Sequence, residues 1–266
     1  IFKMRNKIII TGITSDIGKK LASRFYEDGY DVVGTYNSEK NQKLLPMNKY
    51  KLLKINMLKI SKKDVLRFKK MSKNWKIFIS CVGTSNPIGK FFENKINIIK
   101  NKFNINFFSN VELLSSIVDS RKKSRHIFFF SGSGSNGPSN DLSSYCLSKL
   151  ILIKSAELIS EEYKGINCTT IGPGFIDTKF HKELILSKEK AKNAYKKYLS
   201  LKNEKNDNDA YAKIYSLINA CIKNPLISNG RNFSSKYDDW DNNFFKLKTK
   251  IKKNKNIFKL RRYDSN

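Results

Sequence analysis

KIIITGITSDIG, residues Lys7 to Gly18, is the stretch on which the reading of the fold turns. Three isoleucines run into Thr11 and Gly12, the pattern of a buried strand closed by a tight turn. Ile17, Leu21 and Phe25 then recur at helical spacing. A strand, a glycine turn and a helix start make an anion-binding element, because backbone N–H groups and the helix dipole point at the phosphate. Only Gly12 and Gly18 of the expected glycines are present. Asp16 stands where a glycine would face the phosphate, and a carboxylate there suits the helix N-terminus but competes with a bound anion.

Six further strands follow in the reading: Asp31 to Thr35, Tyr50 to Ile55, Ile77 to Cys81, His126 to Phe130, Cys168 to Ile171 and Arg231 to Ser234. Helical patterns lie between most of them, the longest being Phe103 to Ile117 and Ser144 to Glu162. Strands alternating with helices predict an α/β protein with a parallel sheet covered on both faces. Nearly continuous apolar strands agree with burial on two sides. Ligands in such sheets bind beyond the C-terminal ends of the strands. No internal repeat is evident. The segment 179–209, highly charged from Ser187 onward, reads as a helical lid on a single domain spanning 1–245, and 246–266 reads as a basic C-terminal extension whose Ile251, Ile257, Phe258 and Leu260 would dock it.

The chain has 266 residues, 39% of them hydrophobic and 12% aromatic, enough for a sizeable core. No apolar run has the length of a membrane span. The opening IFKMRNKIII lacks the long apolar stretch of a signal peptide, and the residues before Met4 read as preceding the natural start. Cys81, Cys146, Cys168 and Cys221 are scattered, without a C-x-x-C pair, and His126 and His181 stand alone. That predicts no metal site and no disulfide framework, and it suits a reducing cytoplasm. The net charge of +29 comes from lysines dispersed along the chain, with no recognisable nucleic-acid-binding module, so nucleic acid is not the expected partner. A basic protein still attracts anionic small molecules.

SSYCLSK, Ser143 to Lys149, places Tyr145 and Lys149 one helical turn apart on one face. Together with the glycine turn, this resembles the short-chain dehydrogenase/reductase family. Their T-G-x-x-x-G-x-G turn looks like Thr11 to Gly18, with Asp16 in place of the middle glycine. Their Asn-Asn-Ala-Gly corresponds to Ser80-Cys81-Val82-Gly83, of which only the glycine is kept. Their helix asparagine is matched by Asn106, their Tyr-x-x-x-Lys by Tyr145 and Lys149, and their Pro-Gly-x-x-x-Thr by Pro173 to Thr178. The order and separations agree over nearly the whole chain.

The resemblance implies a Rossmann-type doubly wound parallel sheet of about seven strands and an NAD(P)-dependent oxidoreductase interconverting a ketone and a secondary alcohol. Tyr145 would be the general acid or base. Its phenol, ordinarily near about 10, would be lowered by the ammonium of Lys149. Asn106 would anchor a proton-relaying water. The family's serine falls in SGSGSNGP, where ungapped counting gives Gly132; Ser133 is favoured, with Ser131 second. The dinucleotide site would comprise Gly12, Thr14, Ser15, Asp16, Ile17, Gly18, Tyr36, Asn56, Cys81, Val82, Gly83, Pro173, Gly174, Ile176 and Thr178, with Tyr145 and Lys149 shared. The lack of an acid at Thr35-Tyr36-Asn37 leans toward NADP over NAD, while Ser15 stands where NADP users often place arginine. Ser-Gly-x-Gly before the tyrosine, with YDDW (Tyr237 to Trp240) and KLRR (Lys259 to Arg262), is similar to a subgroup of these enzymes and implies a sugar-related small-molecule substrate. A β-ketoacyl-carrier-protein reductase and a non-catalytic dinucleotide-binding scaffold are the alternatives. Family members are usually dimers or tetramers paired through the two long helices, so a homo-oligomer is expected.

Overall fold

In the computed structural model, residues 5–43, 45–46, 48–119, 124–132, 134–203 and 209–262 are described. Seven strands are found: β1 (Lys7–Thr11), β2 (Asp31–Tyr36), β3 (Lys51–Lys54), β4 (Trp75–Ser80), β5 (Arg125–Phe130), β6 (Ile166–Gly172) and β7 (Asn232–Ser234). They form one sheet in the order β3-β2-β1-β4-β5-β6-β7, every pair parallel. The helices are α1 (Asp16–Glu27), α2 (Glu39–Gln42), α3 (Lys62–Met71), α4 (Ile96–Phe103), α5 (Ser109–Ser115), α6 (Ser143–Glu162), α7 (Phe180–Leu186), α8 (Lys192–Asn203), α9 (Ala210–Lys223), α10 (Pro225–Ser228) and α11 (Asp241–Lys253). None among the described residues is long and apolar enough to cross a membrane.

Side chains alternate across each strand, and in the central strands β1, β4 and β5 both sets are largely apolar and buried. Ile8, Ile10, Ile77, Ile79, Phe128 and Phe130 face one core, which α1, α9 and α11 close with Phe25, Ile214 and Phe244. Ile9, Val33, Phe78, Ile127 and Phe129 face the other, closed by α3, α5 and α6 through Phe68, Leu113 and Leu152. Each of these buried phenylalanines contributes about 1.5–3 kcal/mol over leaving it in water. The chain reverses direction across the sheet between β1 and β4, and the strand C-termini flanking that crevice carry the candidate site.

The second long helix of the reading is continuous as α6, but the first is not. A π turn over Asn104–Phe108 separates α4 from α5, with the Ser109 N–H donating to the Asn104 carbonyl five residues back. The Asn110 amide donates to the Ile105 carbonyl at 3.2 Å, supplying a partner to the widened turn. The segment after Pro173 folds into α7 and α8 with a small core of its own, in which Leu184, Ala191, Ala194 and Tyr198 pack on Ile88.

The C-terminal segment is tied down twice. Phe244, Leu247 and Ile251 of α11 are buried in the first core. Beyond α11, the Asn232 N–H donates to the Phe258 carbonyl at 2.9 Å. The Glu157 carboxylate on α6 accepts from both terminal nitrogens of Arg261 and, at 2.9 Å, from Lys154, with Lys259 Nζ 3.6 Å away. Hydrogen bonding to Arg261 holds the Glu157 carboxyl at about 2, well below the ordinary value. A depressed carboxyl stabilises the fold above its unfolded value, and that contribution is lost as pH falls through the folded one. Glu157→Gln is therefore expected to lower the urea midpoint at neutral pH and to release the segment after α11 to limited proteolysis. The gap between wild type and variant should close as pH falls toward about 2.

Candidate active site

The glycine turn is built as its residue types require. Gly12 has φ +70°, and a Cβ there would lie 3.0 Å from the Cys81 carbonyl carbon and oxygen. A Cβ on Gly18 would come within 2.5 Å of the Gly12 oxygen. Both positions therefore need glycine for strand and helix to approach. The Gly12 N–H donates to Thr35 Oγ1 at 3.2 Å, and Ser15 Oγ caps α1 by accepting from the Gly18 N–H at 3.0 Å. Asp16 opens α1. Its carboxylate accepts the Lys179 N–H at 3.0 Å and lies 3.4 Å from Lys19 Nζ. The carboxylate thus bridges the turn to the start of α7.

Tyr145 and Lys149 lie near the start of α6, both buried. Lys149 Nζ donates to the Phe130 carbonyl at the end of β5, at 3.0 Å. It lies 5.7 Å from the centre of the Tyr145 ring, and a second ammonium, that of Lys102 on α4, lies 5.5 Å from it. Gly132 is packed against the phenol, since a Cβ there would sit 2.2 Å from the Tyr145 oxygen. The expectation that Lys149 lowers the phenol is not met. Burial pushes Tyr145 up, and the neighbouring Cys146 acts in the same direction. Burial likewise lowers Lys149 to about 8 and Lys102 to about 7. With water excluded, every charged form is disfavoured, and the resting phenol keeps its proton.

Asn106 sits inside the π turn, fully buried. Its Oδ1 accepts from the Thr84 N–H at 3.0 Å, while its Nδ2 donates to the Thr84 carbonyl at 3.2 Å and to Ser148 Oγ at 2.9 Å. It therefore clamps the loop after β4 onto α6.

A cavity of about 930 Å³ opens beyond β1, β4, β5 and β6. Of the residues singled out in the sequence, Ser15, Asp16, Ile17, Cys81, Val82, Gly83, Ser131, Tyr145, Lys149, Pro173, Gly174, Ile176 and Thr178 line it. Gly12, Thr14, Gly18 and Asn106 do not line it; Gly12, Gly18 and Asn106 brace its wall. Half-buried Tyr36 and exposed Asn56 lie outside the cavity, and Asn56 instead accepts from the Leu58 N–H at 2.9 Å. Ser133 lies outside the described residues. The residues fit a dinucleotide along the length of the cavity, apart from the Asp16 carboxylate at the phosphate-binding turn.

Three residues escaped the sequence reading. Asn110 Oδ1 accepts from Thr11 Oγ1 and Ser80 Oγ, each at 2.9 Å, and so joins the ends of β1 and β4. Lys102 is buried although it belongs to a lysine-rich helix. Glu183 reaches from α7 into the loop after β4. One of many lysines and one acid on the short helix α7 carry no local signal.

Residues 6–189 match the family described as short chain dehydrogenase. The chain belongs to the short-chain dehydrogenase/reductase family. It is an NAD(P)-dependent dehydrogenase/reductase. It is 24% identical over 186 residues to the uncharacterized oxidoreductase YIR035C of Saccharomyces cerevisiae, covering 66% of this chain and 72% of that protein. The crystal structure of YIR035C superposes with a TM-score of 0.72 at 18% identity, covering 87% of this chain and 96% of that one. The KRED1-Pglu enzyme superposes with a TM-score of 0.71 at 18% identity, over 85% and 99%. A short-chain dehydrogenase from Sphingobium yanoikuyae, in complex with NADPH, gives a TM-score of 0.60 at 17% identity, over 66% and 74%.

Within this family the place of Asp16 makes a specific prediction. A negative charge beside a bound pyrophosphate costs on the order of 1 kcal/mol at partial exposure. Asp16→Gly is expected to tighten NADPH binding about fivefold, measured by titration calorimetry. Weaker binding would mean that the bond to the Lys179 N–H matters more than the repulsion.

Proposed function

We propose that the protein interconverts a ketone and a secondary alcohol, with Tyr145 as the proton donor in reduction and the acceptor in oxidation. The observation that carries this is the buried Tyr145–Lys149 pair opening into a cavity at the C-terminal ends of the strands. A bound nicotinamide supplies or accepts the hydride. Tyr145 lines the cavity and would offer its proton to the substrate oxygen there, because burial keeps the phenol protonated. Lys149, bonded to the Phe130 carbonyl, favours the phenolate once the proton has left. The serine that bonds the substrate oxygen is Ser133, favoured from the sequence, or Ser131, which lines the cavity just beyond β5. Asn106 fixes the loop that carries Val82 to Thr84.

The dinucleotide-binding residues we assign are those named from the sequence, with NADP favoured over NAD. The absence of an acid at the end of β2 supports NADP, and NADPH is bound in the Sphingobium yanoikuyae enzyme. We read 1–245 as one catalytic domain with 179–209 as its lid, and 246–266 as an extension. The substrate is a small molecule, read as sugar-related from the subgroup resemblance. Four free cysteines suit a reducing cytoplasm.

Tyr145→Phe removes the proton with almost no change of shape. Turnover is expected to fall by about 10²–10⁴-fold, with NADPH binding preserved. Wild-type turnover by the variant would refute the assignment, and an unreactive wild type that still binds NADPH would favour a scaffold.

Assembly follows from the outer faces of the two long helical segments. Phe108 and Val111 on one, and Leu147 and Leu158 on the other, are exposed apolar residues. Such stripes are usual partner surfaces. We expect a two-fold homodimer formed through them. Light scattering should give twice the chain mass, and Leu147→Lys combined with Leu158→Lys should give a monomer.

A further inference from the structure

Taking the cavity as the oxidoreductase site proposed above, we infer that the turn Thr84 to Asn86 is a carboxylate-binding subsite for the substrate. Glu183 of the lid occupies that subsite in this structure.

The Glu183 carboxylate is held by donors from three consecutive residues. Its Oε2 accepts from the Ser85 N–H at 3.0 Å, from Ser85 Oγ at 2.6 Å, from the Asn86 N–H at 3.2 Å and from Thr84 Oγ1 at 3.1 Å. Thr84 Oγ1 also reaches Oε1, at 3.3 Å. Two backbone N–H groups and two hydroxyls converging on one anion form a concave nest. Below it, Lys102 Nζ donates to the Ser85 carbonyl. Ser85 thus turns its oxygen toward an ammonium and its donors toward a carboxylate.

Lys102 is 1% exposed. The charged and titratable groups facing it are Glu183 from α7 and Tyr145, Cys146 and Lys149 from α6. Burial works against its charge, and Glu183 is the largest influence in its favour. A lid needs no buried lysine to close, whereas a pocket that receives an anion gains from one. The nest also belongs to the reaction cavity, whose wall includes Thr84, Ser85, Glu183 and Tyr145. Lys102, under the nest, is 5.5 Å from the centre of the Tyr145 ring. An oxo acid or hydroxy acid with a short chain between its carboxylate and its reacting carbon spans the two. Most of the donors converge on one oxygen and one reaches the second, which suits a carboxylate better than a phosphoryl group. Glu183 leaves with the lid when such a substrate enters, and the ammonium keeps an anionic neighbour throughout.

The test removes the internal carboxylate and offers an external one. Glu183→Ala is titrated with acetate, with sodium chloride at equal ionic strength as control, and followed by thermal unfolding. At about 100 times its Kd, acetate is expected to raise Tm by about 5–10 °C in a saturable way. Wild type, with Glu183 in place, and the double variant Glu183→Ala with Lys102→Met should show no such rise. Glu183→Gln keeps the side-chain volume and should respond in the same sense at higher acetate, which covers the case in which Glu183→Ala does not fold. No saturable response in a folded variant would overturn the subsite, and a stronger response to inorganic phosphate would overturn its assignment to carboxylates. NADPH binding is measured in parallel. A wild type that fails to bind NADPH counts against the oxidoreductase reading, while a variant that binds NADPH but not acetate counts against the subsite alone.

Discussion

Gly12 has room for a hydrogen atom and nothing larger, and the reaction cavity depends on that. At this residue β1 ends against β4, and the chain turns in a left-handed conformation with the Cys81 carbonyl 3.0 Å from where a Cβ would stand. The turn is held from both sides. The Cys81 N–H donates to the Thr11 carbonyl at 2.8 Å, and the Ile13 N–H to the Thr35 carbonyl at 3.0 Å. Asn110 closes the seam from α5 by accepting from Thr11 and Ser80. Because β1 and β4 diverge only beyond this seam, the first turn of α1 and the loop after β4 face each other across an open crevice. A side chain at Gly12 would force the strand ends apart and misplace both walls.

The electrostatics of the crevice follow from the burial of its titratable groups. Tyr145, Lys149 and Lys102 are all buried, and each is driven toward its neutral form. A phenol in such a place keeps its proton. Its acidity can change when a neighbour gains or loses charge, since interactions inside the protein are stronger than in water. Glu183 bonds to the loop after β4, and Asp16 accepts from the Lys179 N–H, so both ends of the entrance are fastened by carboxylates. These two carboxylates tie α7 to the walls of the crevice, one at the turn after β1 and one at the loop after β4.

Much of this was legible along the chain. The central strands could be read because they are short apolar runs, and burial on both faces of a parallel sheet demands such runs; the edge strands β3 and β7 are more polar. The Tyr145–Lys149 spacing is a property of one helix, so it survives translation into structure unchanged. The helix α9 was missed even though Ile214, Leu217, Ile218 and Cys221 keep helical spacing and are buried. The helix α11 looked like a basic tail, because its lysines surround Phe244, Leu247 and Ile251. On a chain with a charge of +29, lysine is the background against which every surface is drawn, and an apolar stripe one residue wide is easily lost in it.

Local order is thus what the sequence determined by itself: the strand and helix alternation, the glycine turn, the residues of the pair and their common face. Which lysine is buried, which carboxylate crosses to the opposite wall, and whether the phenol is acidified or held neutral were decided only by the tertiary structure. The π turn around Asn106 belongs with these, since it forms in concert with the bonds from Asn106 to Thr84 and Ser148. Spacing along the chain is set by covalent geometry and can be read from neighbours. Burial and charge balance are sums over segments far apart in sequence, and Lys102, Glu183 and Tyr145 share an environment only because the folded sheet brings α4, α7 and α6 to the same end.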